Sequence, residues 1–266
     1  MFYYKPVESQ DKEITEALDK IVEENSDWGF WKIYKHLKNT GTIWNHKRVY
    51  RVYTDMKLNI RRKRKKRLPA RIKAPLVLPT SPNFTWSMDF MQDTLINGVK
   101  FRTLNIIDDF NREILCITID TSITGKRVVD ELMKLSQWRG KPMVIRVDNG
   151  PEFISEDLKR WARENGIQIL YTQPGKPMQN GYIERFNRSY RKGVLDKYLF
   201  GSLEQVRILT GEWMWKYNKI RSHDSLLDMT PRQFLLKYGK VKDFPTFQQD
   251  ININIEYQKF YNFKRS

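Results

Sequence analysis

Three acidic residues, Asp89, Asp148 and Glu184, are spaced so that they could do chemistry together. Asp89 lies in an alternating stretch, out of phase with Trp86, Met88 and Phe90. Asp148 follows the short apolar run Met143 to Val147, at the carboxyl end of an expected strand, where ligand-binding groups of parallel sheets gather. Glu184 comes 36 positions later, with 35 residues between, on a helix expected to begin near Gln179. If the strands carrying the two aspartates are neighbours and that helix crosses the sheet, the three carboxylates meet. Acids gathered in one site repel one another, which raises their pKa values unless cations intervene. Hard divalent ions with oxygen ligands are the natural remedy, and Mg²⁺ keeps positions open for water and phosphate oxygens. Two such ions roughly 3.5–4 Å apart activate a water or hydroxyl and stabilise the leaving oxygen of an in-line phosphoryl displacement. Each acid also has a plainer reading. Asp148-Asn149-Gly150 is a turn sequence, Glu184 and Arg188 have the i, i+4 spacing of an exposed helix pair, and Asp89 can cap or face solvent.

The elements that must position these acids follow from periodicity. Asn83 to Asp93, Phe101 to Ile107 and Glu113 to Ile119 read as strands, the last two joined by the turn-rich Asp108 to Arg112. Gly125 to Trp138 carries Val128, Val129, Leu132, Met133 and Leu135 at helical spacing. Met143 to Val147 reads as a strand, Ser155 to Asn165 as a helix with Leu158, Trp161 and Ala162 inward, and Gly166 to Tyr171 as a strand. The order predicts an α/β fold with a mixed sheet, antiparallel first and then joined by right-handed crossovers. On the helix from Gln179, Ile183, Phe186, Tyr190 and Val194 form the core stripe. Asn180, Glu184, Asn187, Arg188 and Arg191 share a neighbouring face, which suits the rim of a phosphate groove and equally a solvated surface. Ser202 to Gln205 has capping-box form before Val206, Leu209 and Trp213, and Thr230 to Gln233 repeats it with proline in the first helical position. Cys116, in the third strand, reads as simply buried.

Composition narrows the function. With 266 residues, one catalytic-sized domain plus a small appendage is expected. A formal net charge of +17 points to a polyanionic partner, nucleic acid first. The single cysteine excludes a disulfide framework and any zinc site needing two cysteines from this chain. No apolar run is long enough for a membrane span, and Met1 to Pro6 has no charged start leading into a signal core, so a soluble, intracellular protein without membrane partners is expected. About half of the net charge sits between Arg61 and Lys73, nine basic residues with no acid among them. Arg61 to Pro82 is read as a linker. Its run Arg61, Arg62, Lys63, Arg64, Lys65, Lys66 and Arg67 is either a solvated tether or a strip lying along a phosphate backbone. Before it, Asp11 to Glu24, Phe30 to Leu37 and a segment capped by Asn45 have the spacing of three helices. The third turns Val49, Val52, Tyr53 and Met56 inward and shows Lys47, Arg48 and Arg51 on its other side, as a recognition helix would. A small helical bundle in any basic protein shares that pattern.

Four motifs go further: W-S-M-D-F (Trp86 to Phe90), R-V-D-N-G-P-E-F (Arg146 to Phe153), Q-P-G-K-P-M-Q-N-G-Y-I-E-R-F-N-R (Gln173 to Arg188) and Y-N-K-I-R-S-H-D-S-L (Tyr217 to Leu226). They closely resemble the OrfB-type transposases of the IS-three family of insertion sequences, over about Ser26 to Tyr238. The resemblance implies a ribonuclease H-like fold of the retroviral-integrase type, with a five-stranded mixed sheet, flanking helices and a helix-turn-helix-like N-terminal domain. It implies that Asp89, Asp148 and Glu184 are a catalytic Asp-Asp-Glu triad binding two Mg²⁺ or Mn²⁺ ions. Hydrolytic nicking at the element's ends, then attack of the freed 3′-hydroxyl on another phosphodiester, is the implied chemistry. Double-stranded DNA, the insertion-sequence ends and the target, is the implied partner, bound by a homo-oligomer in the bacterial cytoplasm at the nucleoid. Lys176, Arg188 and Arg191, near the third acid, join the expected DNA contacts. The expected division is residues 1–60 for DNA binding, 61–82 for the linker, 83–200 for the catalytic core, 201–240 for a helical extension and 241–266 for a tail with no assigned role. Two departures stand out. Ser222 replaces the usual proline of the Arg-Pro-His segment, and the chain starts where similar proteins have preceding sequence, so an upstream OrfA-type partner or fusion segment is expected. A retroviral integrase would need a zinc module that one cysteine cannot supply, and a cellular ribonuclease H has no reason for the basic tether. A non-catalytic DNA-binding regulator, the remaining alternative, leaves the three acids unexplained. No Gly-x-x-x-x-Gly-Lys-Ser/Thr sequence is present to suggest ATP use.

Overall fold

The computed structural model describes residues 11–59, 79–172 and 180–239. The basic run Arg61 to Arg67, Lys176 and the tail from 241 lie outside them, as does most of the expected linker. Amphipathic periodicity folds the first segment into α1 (Lys12–Glu24), α2 (Phe30–Asn39) and α3 (His46–Asp55). Ile14, Leu18, Ile33, Leu37, Val49, Val52 and Tyr53 meet between them. Asn45 accepts the Lys47 N–H and caps α3, and Gly41 takes the left-handed turn after α2 at φ +92°.

The alternating segments become one sheet. β1 (Thr85–Thr94), β2 (Lys100–Asp108) and β3 (Ile114–Asp120) run antiparallel in sequence, and β4 (Val144–Val147) and β5 (Gln168–Tyr171) add in parallel on the far side of β1. The order is β3-β2-β1-β4-β5. Alternation gives the central strands β1 and β2 residues buried on both faces. Trp86, Met88, Leu104, Ile106, Ile145 and Val147 pack against α4 (Gly125–Arg139) and α5 (Glu156–Glu164). Met91, Phe101, Ile107 and Ile119 pack on the other side against α6 (Gly181–Tyr190) and α7 (Leu203–Lys219). This is the expected ribonuclease H-like arrangement. After Tyr190 the helix widens into a π turn, Arg191–Leu195, and Gly193 lies so close to the Trp213 indole that a Cβ there would collide with it. A short helix, α8 (Pro231–Tyr238), follows with a complete Thr230/Gln233 capping box.

The helical N-terminal unit is joined to the core. Lys35 of α2 pairs with Asp224 at 2.7 Å and with Asp228, and Ile220 packs onto the N-terminal cluster. Among the described residues, no helix is long and apolar enough to cross a membrane.

Several local expectations change. Met133 is exposed because Val128, Leu132 and Leu135 already fill the contact face of α4, and Met143 is exposed because β4 starts one residue later. At α7, Ser202 accepts the Gln205 N–H, but the Gln205 side chain accepts from Gly201 N–H instead of closing the box on Ser202. The Asp108 to Arg112 link joins antiparallel β2 and β3 as a hairpin, and it is an interior one, with Asp108, Asp109, Asn111 and Arg112 all buried. Asp108 accepts from Asn83 N–H and Phe110 N–H and lies 3.6 Å from Arg139, and Asp109 pairs with Arg146 at 2.6 Å.

Candidate active site

Strand register brings the two aspartates side by side. Asp89 faces Asn105 across the antiparallel β1–β2 pair. On the other edge of β1, Ser87 is level with Arg146 of β4, so two residues on, the chain carries Asp148 up beside Asp89. α6 lies across β1 and β2 and brings Glu184 to the same end. The Asp89 carboxyl registers the convergence. Burial pushes its pKa up to about 6, the Asp148 and Glu184 charges push the same way, and hydrogen bonds from Phe90 N–H (2.8 Å) and the Asn187 amide (2.7 Å) oppose them. Among the described residues, none of the three acids is in a salt bridge, and no group of three acid, histidine or cysteine side chains is closed around one point. The acids face one another without being clasped. Oxygen donors with no balancing side-chain cation fit a hard divalent ion better than a thiolate- or imidazole-seeking one.

A chain of two amides positions Asp89. Asn187, one turn after Glu184, donates to Asp89 Oδ2, while its own Oδ1 accepts from the buried Asn105 Nδ2 at 2.8 Å. Asn105 was not among the expected site residues, and Asn187 was expected only as a member of the face it shares with Glu184. Their signals were the i, i+3 spacing of Asn187 from Glu184 and an asparagine interrupting the apolar strand Phe101 to Ile107. Asp148 Oδ1 accepts Gly150 N–H at 2.9 Å, so Asp-Asn-Gly forms the turn its composition suggests. Beside the acids, Glu152 pairs with Arg102, whose guanidinium stacks on Phe90 4.3 Å from its centroid.

The expected DNA-contacting cations divide. Lys47 and Arg188 are exposed. Arg48 and Arg51 both pair with Asp11, at 2.9 and 2.7 Å. Arg191 lies 3.3 Å from Asp93 and 3.6 Å from Asp196 and donates to the Gln92 carbonyl at 2.9 Å. The helix pair foreseen as an alternative, Glu184 with Arg188, is not made.

Known proteins share this organisation. Residues 79–177 and 165–231 match two family models described as integrase core domain, and residues 9–66 match an HTH-like domain. The chain is 34% identical over 252 residues to the insertion element IS407 uncharacterized 31.7 kDa protein of Burkholderia multivorans, covering 94% of this chain and 91% of that protein. It is 36% identical over 238 residues to the insertion element IS476 uncharacterized 39.2 kDa protein of Xanthomonas euvesicatoria, covering 89% of this chain and 69% of that one. A cryo-EM structure of the simian T-cell lymphotropic virus intasome in complex with PP2A regulatory subunit B56 gamma shares the fold, with TM-score 0.53 and 16% identity over 85% of this chain and 76% of that one. Sheet order and matched domains define a polynucleotidyl transferase with an integrase catalytic core and an HTH-like module. Within that class the chain belongs to the IS-three family of insertion-sequence transposases. The integrase-core family is divalent-metal dependent, and its partner is DNA.

Proposed function

We propose that Asp89, Asp148 and Glu184 are the catalytic acids of this transposase and together hold two Mg²⁺ or Mn²⁺ ions. The observation that carries this is the half-buried Asp89 carboxyl, raised by burial first and then by the Asp148 and Glu184 charges, with no side-chain cation to balance them. When bound, the ions would supply a more acidic water or 3′-hydroxyl and offset charge on the phosphoryl oxygens. The protein's own residues do the rest. Asn187 and Asn105 fix which Asp89 oxygen is occupied by an amide, and Gly150 N–H does the same for Asp148. Arg188, exposed one turn beyond Glu184, is available to a phosphate of the strand that enters. Arg61 to Arg67 and Lys176 add sequence-independent grip, and Lys47 stands out on α3 for contact in a groove. Arg48 and Arg51 serve there by exchanging Asp11 for phosphate, and Arg191 by exchanging Asp93.

The functional division we infer is residues 1–60 for end recognition, 61–82 as tether, 83–200 for chemistry, 201–240 as a buttress for the core and 241–266 as a tail. An OrfA-type upstream segment and a homo-oligomer on DNA complete the working form. The test is Asp148→Asn in a strand-transfer assay with Mg²⁺ and labelled insertion-sequence ends. Transfer is expected to disappear while DNA retention stays close to wild type, and undiminished transfer overturns the assignment.

A further inference from the structure

A cavity of about 650 Å³ opens beside Glu184, and cations dominate its charged lining. Lys32 comes from α2, Arg112 from the β2–β3 link, Arg185 from α6 and Arg221 from the segment after α7. Among the described residues, none of the four is in a salt bridge. The carboxylates on the lining are Glu184 and Asp224, and Asp224 is already engaged by Lys35. Arg112 is buried with its guanidinium 3.5 Å from the Tyr182 ring centroid, and Arg221 is buried with one Nη 3.3 Å from Ser189 Oγ. Arg112 Nη1 and His223 Nε2 are buried atoms with no hydrogen-bond partner among the described residues. Leaving such buried groups unmatched is costly.

The crowding leaves an electrostatic trace. Lys32 is lowered to about 8, by burial first and then by Arg221 and Lys192, against Asp27 and Asp224. His223 is lowered to about 3 by burial and by Arg221, Lys32 and Arg112, against Asp224. Stripping water from several cations while providing so little carboxylate favours an anion in the space between them.

We propose that this cavity receives a backbone phosphate of the DNA strand that passes Glu184, held by Lys32, Arg112, Arg221 and the His223 imidazole N–H. The inference rests on the placement of DNA at the three acids. Lys32 belongs to the N-terminal helical unit and the other three to the core, so one phosphate would tie the two units together across their joint. A free phosphate or nucleotide offers the same oxygens, and the test separates the two sources.

The full chain is titrated with a fluorescent duplex in EDTA over a range of salt, with inorganic phosphate alone as the second probe. Lys32→Met is expected to weaken duplex binding about tenfold and to reduce the slope of log K against log salt by about 0.9, the share of one phosphate contact. The free variant should melt no lower than wild type, because a crowded cation has been removed. At pH 8.5, calorimetry in two buffers should show proton uptake by wild type on duplex binding, as the phosphate returns Lys32 to its charged form, and less uptake by the variant. His223→Phe keeps the ring against Tyr217 (4.8 Å between centroids) but removes the donor, and should weaken binding several-fold without loss of folding. An unchanged slope and unchanged proton uptake in Lys32→Met overturn the proposal. So does inorganic phosphate that stabilises wild type but not the variant while duplex binding is the same for both, which would assign the cavity to a free ligand. If wild type does not bind duplex at all, the DNA placement fails, and the cavity proposal fails with it.

Discussion

Two clusters of acid are built on the same sheet, one half-buried at Asp89 and one fully buried at Asp108 and Asp109. Asp89 in one, and Asp108 and Asp109 in the other, are all pushed up to about 6, with burial as the largest cause. Their neighbours differ in sign. Arg139 and Arg146 answer the charges of Asp108 and Asp109, whereas Asp89 meets two more acids and is helped only by an amide and a backbone N–H. A shifted pKa by itself therefore does not separate scaffold from chemistry. What separates them is whether the protein supplies the opposite charge or leaves it to something bound.

That contrast can be broken at several points. Asp148→Asn should cost strand transfer about 10⁴-fold, about 5 kcal/mol of transition-state stabilisation, and the melting temperature should hold or rise as like charges are thinned. A large fall in thermal stability would place Asp148 with the scaffold. Arg146→Met should do the reverse. It strands buried Asp109 and should cost about 3–5 kcal/mol of folding free energy, readable in a urea titration, and an unaltered midpoint would deny the pair its role. Asn187→Ala should lower the transfer rate or metal affinity about 10–100-fold, as second-layer partners of metal ligands do. Asn187→Asp would sharpen this by adding a fourth acid. If it tightens Mn²⁺ binding, measured by calorimetry, the amide is marking the ion site. The smallest effect is on pH dependence. A carboxyl raised from 3.8 to about 6 holds extra protons in the folded state, so its penalty is absent below pH 4 and complete above pH 6. Metal-free protein should accordingly lose stability between those limits, less steeply in Asp89→Asn, and Mg²⁺ should flatten the wild-type curve. Equal slopes with and without Mg²⁺ would count against ion binding at Asp89.

Much of this was legible in the residues. Strand alternation at Trp86, Met88 and Phe90 against Ser87, Asp89 and Met91 assigned both faces of β1, whereas the pairing of β1 with the strand before Asp148 was only a condition in the sequence and is met by the register. The Ile183, Phe186, Tyr190 and Val194 stripe is buried as its period requires. What escaped depends on partners distant in sequence. Asp108 to Arg112 has turn composition, and partners on other elements, Arg139, Arg146, Asn83 and Pro231 among them, make it an interior segment. The Asn105–Asn187 relay joins residues 82 positions apart, and a single asparagine in each element gives no hint that they touch. Lys32 gave no signal of its own, because its surroundings are assembled by a joint between two units.

The widened turn at Arg191–Leu195 has a consequence for how the chain tolerates change. Trp213 occupies the space a side chain at position 193 would need, so α6 and α7 interlock like two gears at a single tooth. Any larger residue there must displace the Trp213 indole or shift one helix against the other. A larger side chain at position 193, more than two turns past Glu184, is therefore expected to be felt at the acid through the helix that joins them.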